Sequence, residues 1–323
     1  MPTWQYTKGL HDLGNGCHAY LQPDGGWGWS NAGLISDSGE TMLVDTLMDL
    51  RLTREMLETM RRAVPQAARI GTLVNTHANP DHTFGNQLVE GAQIVASADC
   101  AAEMPGTSPQ MLATMERNWR EMGEGGAFFH ETMGRHFRFD EVTLTLPTRI
   151  FERELTLRVG NKEVRLLNVG PAHTRGDTMA YVPGDRTVFT GDVLFVGGHP
   201  IMWAGPIDNW IKACDTILGW DVETIVPGHG PITDKAGVRR FRDYLAYIKS
   251  ETRKRYDAGM KADDAAYDIA LDAYASWIDS ERIVANVTAL YREFSGSTEH
   301  PNVGAVFAAM GRYRKARGHR ASD

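Results

Sequence analysis

Cysteine is scarce in this sequence, with only Cys17, Cys100 and Cys214 among 323 residues. An odd number of widely separated cysteines excludes a complete disulfide framework and a paired Cys-x-x-Cys site, so we expect buried, reduced thiols. Long apolar runs are also missing, and the first residues do not resemble a signal peptide. These absences predict a protein that does not enter the membrane, with the cytoplasm as its expected location.

Positive charge is not in excess, because 41 acidic residues outnumber 34 basic ones and give a net charge of −7. A phosphate-binding face needs clustered Lys and Arg, so this balance argues against nucleic acid as a partner. Flexible linkers rich in Ser and Gly are missing too. We therefore predict one domain over residues 1–323, with a core at about 18–232 and a helical C-terminal extension at about 233–310.

Short apolar runs alternate with amphipathic stretches along the chain. Strands are predicted at 31–35, 41–44, 70–74, 93–96, 155–159, 164–169, 187–190 and 224–226. Helices are predicted from Asp49 to Pro65, from Phe84, and after Pro231. The turn signal Asp37-Ser38-Gly39 predicts a hairpin between the first two strands. Residues 99–140 form a methionine- and aromatic-rich insertion, divided at Gly123–Gly126, whose helices either pack in the core or form a lid or wall of a substrate site.

Histidines and aspartates cluster where predicted strands end. Residues 76–82 read Thr-His-Ala-Asn-Pro-Asp-His, and later turns carry three more candidates. The candidate ligands are His77, Asp81, His82, His173, Asp192 and His229. One such residue alone is most often a hydrogen-bonded loop residue, but six at strand ends predict a metal centre. Imidazoles and carboxylates suit zinc, and also iron or manganese.

The segments that carry these candidate ligands, taken in their order along the chain, resemble those of the metallo-β-lactamase fold superfamily. The resemblance covers about residues 18–232. The resemblance implies an α/β fold, the αββα four-layer sandwich, with metals held in loops at one edge of two facing sheets. It also implies a first metal held by His77, position 79 and His173, and a second metal held by Asp81, His82 and His229, with Asp192 bridging the two.

Asn79 departs from the usual His-x-His-x-Asp-His motif of that superfamily, because it replaces the second histidine. A neutral amide oxygen is a weaker zinc ligand than an imidazole. Three outcomes are open: Asn79 coordinates weakly, a water replaces it, or the first site is partly empty. We therefore expect one or two zinc ions, and we expect the hydrolytic chemistry of the ordinary superfamily members to be weakened.

Residues 17–33, 76–86 and 192–210 resemble the branch of aromatic polyketide cyclases and cyclase–thioesterases. Members of this branch also carry Asn at position 79, followed by Asp81-His82 and Gly85-Asn86, although glycine is expected where Pro80 stands. The resemblance implies aldol ring closure of a poly-β-ketone, free or bound to a carrier protein, with Asp81 or a metal-bound hydroxide as the catalytic base. Hydrolysis of the thioester at the same centre is compatible with that reaction.

Aromatic side chains beside the motifs are candidates for the wall of an apolar pocket. These candidates are Trp27, Trp29, Phe195 and Trp203, and ordinary core packing is the competing explanation. The main alternative function is a general metallo-hydrolase acting on a thioester, lactone or ester. An oxygen-using iron enzyme and a metal-free binding scaffold are further alternatives. A homo-oligomer is compatible with the sequence.

Overall fold

A computed structural model of the chain describes residues 4–299 and 302–318. Over these residues two β-sheets face each other, and helices cover the outer side of each sheet. The strands of the described part are β1 (Gly9–Gly14), β2 (Cys17–Leu21), β3 (Ala32–Asp37), β4 (Glu40–Val44), β5 (Thr72–Val74), β6 (Gln93–Ser97), β7 (Arg149–Phe151), β8 (Glu154–Val159), β9 (Lys162–Asn168), β10 (Thr178–Val182), β11 (Thr187–Phe189) and β12 (Thr224–Val226). Its α-helices are α1 (Leu50–Ala63), α2 (Pro80–Thr83), α3 (Ala98–Glu103), α4 (Pro109–Asn118), α5 (Gly123–Phe129), α6 (Ile207–Gly219), α7 (Lys235–Asp257), α8 (Ala262–Asp268), α9 (Arg282–Ser295) and α10 (Val303–Ala316).

The first sheet has the strand order β1-β2-β3-β4-β5-β6-β7. Strands β1 to β4 pair antiparallel, whereas β4 to β7 pair parallel. Ser38 and Gly39 join β3 to β4 in a turn where both residues have positive φ, 49° and 85°. Such a two-residue turn matches the twist of paired strands, and the predicted hairpin is confirmed.

The second sheet has the strand order β12-β11-β10-β9-β8. Strands β11 and β12 are parallel. Strand β9 runs in the same direction as both of them, because β9 and β11 are each antiparallel to β10. The carboxyl ends of β9, β11 and β12 therefore lie at one edge of this sheet.

Alternate residues of β4 show how the four layers are held together. Met42 and Val44 lie in the core between the two sheets, whereas Leu43 belongs to the core that contains Met56 and Met60 of helix α1. Successive side chains of a strand point to opposite faces, so each sheet buries apolar residues on both sides. The predicted αββα fold is confirmed.

Helix α1 has the boundaries that its sequence predicts. The Asp49 side chain accepts the N–H of Leu52 at 2.8 Å and caps the first turn, and the helix ends at Ala63, just before Pro65. A carboxylate at this position satisfies a backbone donor that has no partner within the helix. The predicted strands are also present, with ends shifted by a few residues. Strands β1, β2, β7 and β10 were not predicted.

The helix predicted from Phe84 is wrong. The chain instead forms the short helix α2 and a single 3-10 turn at Asn86–Leu88. Pro80 occupies the first turn of α2, where its missing N–H costs nothing. Gly85 then passes directly against Thr53, where there is no room for a Cβ atom. The tight passage of the backbone beside α1 therefore ends the helical segment.

The insertion is helical, but its glycines do not divide it as predicted. Gly123, with φ of 61°, marks a break, whereas Gly125 and Gly126 lie inside α5. A Cβ atom on Gly125 would lie 2.6 Å from the carbonyl oxygen of Gly304 in α10. Gly125 therefore allows the two helices to touch backbone to backbone, and this contact is invisible in the local sequence.

Helices α7 to α10 follow the second sheet, so the predicted helical extension is present in the described residues. Phe241, Ile283 and Leu290 are fully buried members of the main core. The three cysteines are buried and free, as expected. Within residues 4–299 and 302–318, every helix is too short or too polar to cross a lipid bilayer. The domain boundaries stay a prediction.

Candidate metal centre

The predicted ligands lie in loops that follow strands at one side of the two sheets. Asp45 follows β4 and His77 follows β5, whereas His173, Asp192 and His229 follow β9, β11 and β12. Backbone hydrogen bonds join these segments: Thr178 donates to Thr76 at 2.7 Å, and Asn31 donates to Gly228 at 2.7 Å. The two sheets therefore bring residues from distant parts of the chain to one place.

The carboxylate of Asp192 lies among four imidazoles. Its oxygens are 3.2 Å from His82 Nε2, 3.3 Å from His173 Nε2, 3.5 Å from His229 Nε2 and 3.7 Å from His77 Nε2. Asp81 Oδ2 is 3.3 Å from His229 Nε2 and 3.8 Å from His82 Nε2. The structure thus brings all six candidates together, with exposed fractions from 0% to 8%.

His82 is oriented by a carboxylate that sequence reasoning missed. Its Nδ1 lies 2.8 Å from Asp45 Oδ2. Asp45 also accepts the backbone N–H and the hydroxyl of Thr76, both at 2.7 Å. A carboxylate behind a histidine fixes the orientation of the ring, so that Nε2 faces the centre. The signal was available, because Asp45 directly follows the buried strand β4, as the other candidates follow theirs.

The other three imidazoles are held in the same way, through their Nδ1 atoms. Thr76 Oγ1 lies 3.0 Å from Nδ1 of His77. The carbonyl of Ile201 accepts from His173 at 2.6 Å, and the carbonyl of Gly25 accepts from His229 at 3.0 Å. Each Nε2 atom therefore points toward the centre. This arrangement is typical of histidines that bind a metal.

Asp177 holds the loop that carries His173. Its carboxylate accepts the backbone N–H groups of Ala172 and Thr174, and the Thr174 hydroxyl at 2.7 Å. Burial outweighs these hydrogen bonds and raises the pKa of the carboxyl to about 7. Asp177 belongs to the segment singled out in the sequence, but its positioning role was not predicted.

Opposite charges govern protonation in this cluster. Burial opposes charging of His229, but Asp192 and Asp81 outweigh it and raise the pKa of His229 to about 9. Burial also opposes charging of His82, whose pKa is nevertheless raised by Asp192 and Asp45. Burial lowers the pKa of His77 and His173. The cluster is therefore a buried anionic site that takes up protons when no other cation balances it.

Asn79 lies beside the predicted first half-site. Its Nδ2 is 3.1 Å from His173 Nε2. Because Nδ1 of His173 donates to a carbonyl, Nε2 accepts, and the Asn79 amide donates to it. The lone pair that a first metal would need is thus engaged in this arrangement.

The four predicted pocket aromatics lie in different places. Phe195 is buried and stacks on His229, with ring centroids 5.1 Å apart. Trp29 packs against Phe137 of the insertion at 4.9 Å. Trp27 and Trp203 both contact Phe307 of α10, at 6.0 Å and 6.5 Å. Their role in substrate binding stays a prediction.

The donor atoms present fit a metal ion. Among the described residues, the buried Nε2 atoms of His77 and His82 have no hydrogen-bond partner, although buried polar atoms rarely lack one. Two groups, His77–His82–Asp192 and Asp81–His82–His229, each place ligand atoms within 4.8 Å of one another. Nitrogen and oxygen donors of this kind suit zinc, iron or manganese.

This chain belongs to the metallo-beta-lactamase superfamily, whose family model matches residues 25–229. The fold and the paired His/Asp groups are those of a superfamily that typically binds two metal ions.

Two curated relatives and one solved structure illustrate the range of similar proteins. The chain is 23% identical over 256 residues to the 2,4-dinitroanisole O-demethylase subunit alpha of Nocardioides sp. (strain JS1661), covering 76% of this chain and 61% of that protein. It is 25% identical over 220 residues to the acyl-coenzyme A thioesterase MBLAC2 of Homo sapiens, covering 62% of this chain and 72% of the relative. The sec-alkylsulfatase Pisa1 from Pseudomonas sp. superposes with a TM-score of 0.68 at 15% identity, covering 97% of this chain and 55% of that chain.

Asp45→Asn should weaken metal binding without unfolding the chain. The amide keeps the shape of the side chain but loses the charge that orients His82, so we expect about 10- to 100-fold lower zinc affinity. Competition for zinc with a chromophoric chelator measures this affinity. Asp49→Asn is the matched control, because it changes a buried aspartate that caps α1 and touches no ligand. Equal zinc affinity in the Asp45 variant and the control would contradict the orienting role.

Metal binding at pH 7 should release protons. The pKa of His229 is raised to about 9 in the metal-free cluster, so its imidazole is protonated at pH 7, whereas a metal needs the free lone pair. We expect release of about one proton or more per chain and weaker binding as the pH falls below about 9. Calorimetric titration in two buffers with different ionisation enthalpies measures the released protons, and identical heats in both buffers would contradict the expectation.

Proposed function

We propose that this chain is a metal-dependent hydrolase that cleaves an acyl thioester, with zinc held most tightly in the second half-site. The observation that carries the proposal is the buried cluster of four imidazoles and two carboxylates around Asp192, with interatomic distances from 3.2 to 3.8 Å. His82, His229 and Asp81 would hold the second metal, with Asp192 shared between half-sites. His77 and His173 would hold a first metal. A bound zinc ion would polarise the carbonyl and lower the pKa of water.

The residues of the chain orient the reacting groups in this reaction. Water adds to the acyl carbon, the C–S bond breaks, and the thiol leaves with one proton of the water. His82 and His229 hold Asp81 ionised against the opposing effect of burial, with a pKa of about 2. A carboxylate with this pKa is a weak base at pH 7, so we assign Asp81 to accepting a hydrogen bond from the water and orienting it.

Asn79 makes the two half-sites unequal. Its amide N–H donates to His173 Nε2 at 3.1 Å, so a first metal must displace this hydrogen bond, and the amide must turn its oxygen inward to become a ligand. Among the described residues, no amide faces the imidazoles of the second half-site: the Nε2 atoms of His82 and His229 face the carboxylates of Asp192 and Asp81, which are themselves candidate ligands, so a metal there displaces only protons. We therefore propose one tight and one weak zinc site.

The thioester class is supported by the similarity to the human acyl-coenzyme A thioesterase MBLAC2, at 25% identity. The first of the relatives named above matches this chain over only 61% of its own length, and it acts on an aryl ether by its name. Hydrolysis of a thioester requires only an activated water and a polarised carbonyl group. An acyl thioester of a small molecule, free or bound to a carrier protein, is therefore the substrate class that we propose.

A polyketide cyclase is the second candidate, and Asn79 is the observation that favours it. A weakened first site lowers the power to activate water but leaves a Lewis acid able to acidify the α-carbon of a ketone. The substrate would then be an aromatic or polyketide-like small molecule. The two functions differ in product mass, because hydrolysis adds water whereas aromatising ring closure removes it.

Zinc-loaded protein should hydrolyse acyl-coenzyme A or another acyl thioester. We expect Asp81→Ala and His229→Ala each to lower kcat/KM at least about a hundredfold, because each removes a group at the reacting centre. Thiol release and product mass measure the reaction. His11→Ala is the matched control, since His11 bonds to the carbonyl of Thr7 on the surface and belongs to neither half-site. Full activity in either site variant would contradict the proposal, and a ring product lighter by one water would favour the cyclase.

Asn79→His should raise the number of tightly bound zinc ions from about one to about two per chain, because an imidazole supplies the missing ligand of the first half-site. We also expect the Asn79→His variant to hydrolyse thioesters faster than the native chain. Metal analysis after dialysis measures the ratio of zinc to protein, and Asn118→His, at an exposed position of α4, controls for metal bound to any added histidine. An unchanged zinc content in the Asn79 variant would show that Asn79 does not limit the first site.

A further inference from the structure

His229 is held by two neighbours that are not candidate ligands. The carbonyl of Gly25 accepts a hydrogen bond from its Nδ1 at 3.0 Å. The ring of Phe195 stacks on its imidazole, with centroids 5.1 Å apart and an angle of 2° between the planes. Phe195 is buried and also contacts the ring of His173, at 5.7 Å. The direction in which His229 Nε2 points therefore depends on where Gly25 and Phe195 lie.

Gly25 lies in the short segment 24–27, which packs directly against the loop after β12. Its φ is 81°, and a Cβ atom at this position would lie 2.8 Å from the backbone nitrogen of Gly230. Two residues later, the indole of Trp27 donates to Glu281 Oε1 at 2.9 Å. Glu281 directly precedes helix α9. The C-terminal extension therefore helps to fix the segment that carries the Gly25 carbonyl.

Arg282, the first residue of α9, connects this segment with Phe195. Its guanidinium carbon lies 4.4 Å from the ring centroid of Trp27 and 5.7 Å from that of Phe195. It also donates to the carbonyl of His199 at 2.9 Å, in the loop that follows Phe195. A cation over an aromatic face is attracted to the ring, most strongly away from water, and Arg282 is 3% exposed. One side chain of α9 thus contacts both the ring and the segment that hold the imidazole.

Arg282 is itself held by an ion-pair cluster formed by Asp279, Glu281, Arg282 and Arg314. Arg282 lies 2.9 Å from Asp279, and Arg314 lies 3.1 Å from Glu281 and 3.5 Å from Asp279. Asp279 and Glu281 are both buried. Because desolvation offsets the attraction in buried ion pairs, such a cluster adds little to the stability of a fold. Its consequence here is that the guanidinium of Arg282 has a fixed position against the two rings.

We propose that Arg282 is a positioning residue for His229, acting through the ring of Phe195 and the segment 24–27. The proposal rests on the second half-site of the proposed function, because His229 is a ligand there, but it does not depend on the substrate. It makes the tight zinc site depend on α9, which lies beyond residues 25–229, the part of the chain that the family model matches.

The hydrogen bond between His229 and Gly25 can be followed without metal or substrate. NMR spectra of the metal-free chain with isotopically labelled histidine measure how fast the Nδ1 proton of His229 exchanges with water, and loss of the signal in His229→Gln assigns it. We expect Arg282→Met to speed this exchange about tenfold, because the Gly25 carbonyl is then held less firmly against the imidazole.

Zinc affinity provides the second measurement. We expect Arg282→Met to weaken the tight site about tenfold, an effect typical of groups that orient a metal ligand. Phe195→Leu should weaken it similarly while leaving the ion-pair cluster intact, since leucine is apolar but offers no flat face to the imidazole. Arg282→Met combined with Asp279→Asn removes both charges of one pair, so the test does not require the chain to tolerate an unbalanced buried charge. Competition for zinc with a chromophoric chelator measures the affinity of each variant.

Arg255→Met is the matched control. Arg255 also joins two helices of the C-terminal extension, because it lies 2.8 Å from Glu251 of α7 and 2.8 Å from Asp268 of α8. Its loss should lower the urea concentration at which the chain unfolds, as the loss of Arg282 does. It should leave the exchange rate of the His229 proton and the zinc affinity unchanged.

The outcomes separate the positioning role from the proposed function. Faster exchange and weaker zinc binding in the Arg282 and Phe195 variants, with no thioester hydrolysed by the native chain, would support the positioning role and overturn the hydrolase proposal. Native exchange and native zinc affinity in these variants would overturn the positioning role even if thioesters are hydrolysed. Equal changes in Arg255→Met would also overturn it, because general loosening of the extension would then explain the result.

Discussion

Buried negative charge at Asp192 is the constraint on which the rest of this site depends. Its carboxylate is 3% exposed and lies within 3.7 Å of four imidazole nitrogens. Burying a carboxylate without a nearby cation costs much free energy. Each sheet offsets this cost, because histidines at its strand ends lie beside the carboxylate. Asp45 also contributes, because its negative charge lies beside Nδ1 of His82, on the side of the ring away from Asp192. The centre is thus stable only with protons or a metal in it.

The clustering of the candidate ligands could be predicted from sequence because each candidate is local to a strand end and carries a distinctive side chain. His77, Asp81 and His82 share one loop, and the remaining ligands follow Gly- or Pro-marked turns. Asp45 obeys the same rule but belongs to no histidine motif, so its role required the 2.8 Å distance to His82. The αββα layering followed from the family resemblance, whereas strand β10 was missed although it is buried throughout.

Glycine in the insertion shows why the rest could not be predicted. Gly125 and Gly126 look like a helix break when only neighbours in sequence are considered. What requires a glycine at position 125 is instead the close backbone of Gly304, which lies in α10, more than 170 residues later in the chain. A contact over that sequence separation leaves no periodicity and no turn signal. The same holds for Phe307, which meets Trp27 and Trp203 only in the folded chain.

Membership of the superfamily does not by itself predict the substrate of this chain, because part of the chain, including α10, lies outside the family model. The family model ends at residue 229, so it covers every predicted ligand but neither α9 nor α10. The structural similarity to the sec-alkylsulfatase Pisa1 extends over 97% of this chain, so that likeness includes most of the helical extension. Chemistry common to the superfamily therefore resides in the strand-end loops. The helices after residue 229 lie outside that common region, so their sequence can change among superfamily members while the strand-end loops stay the same.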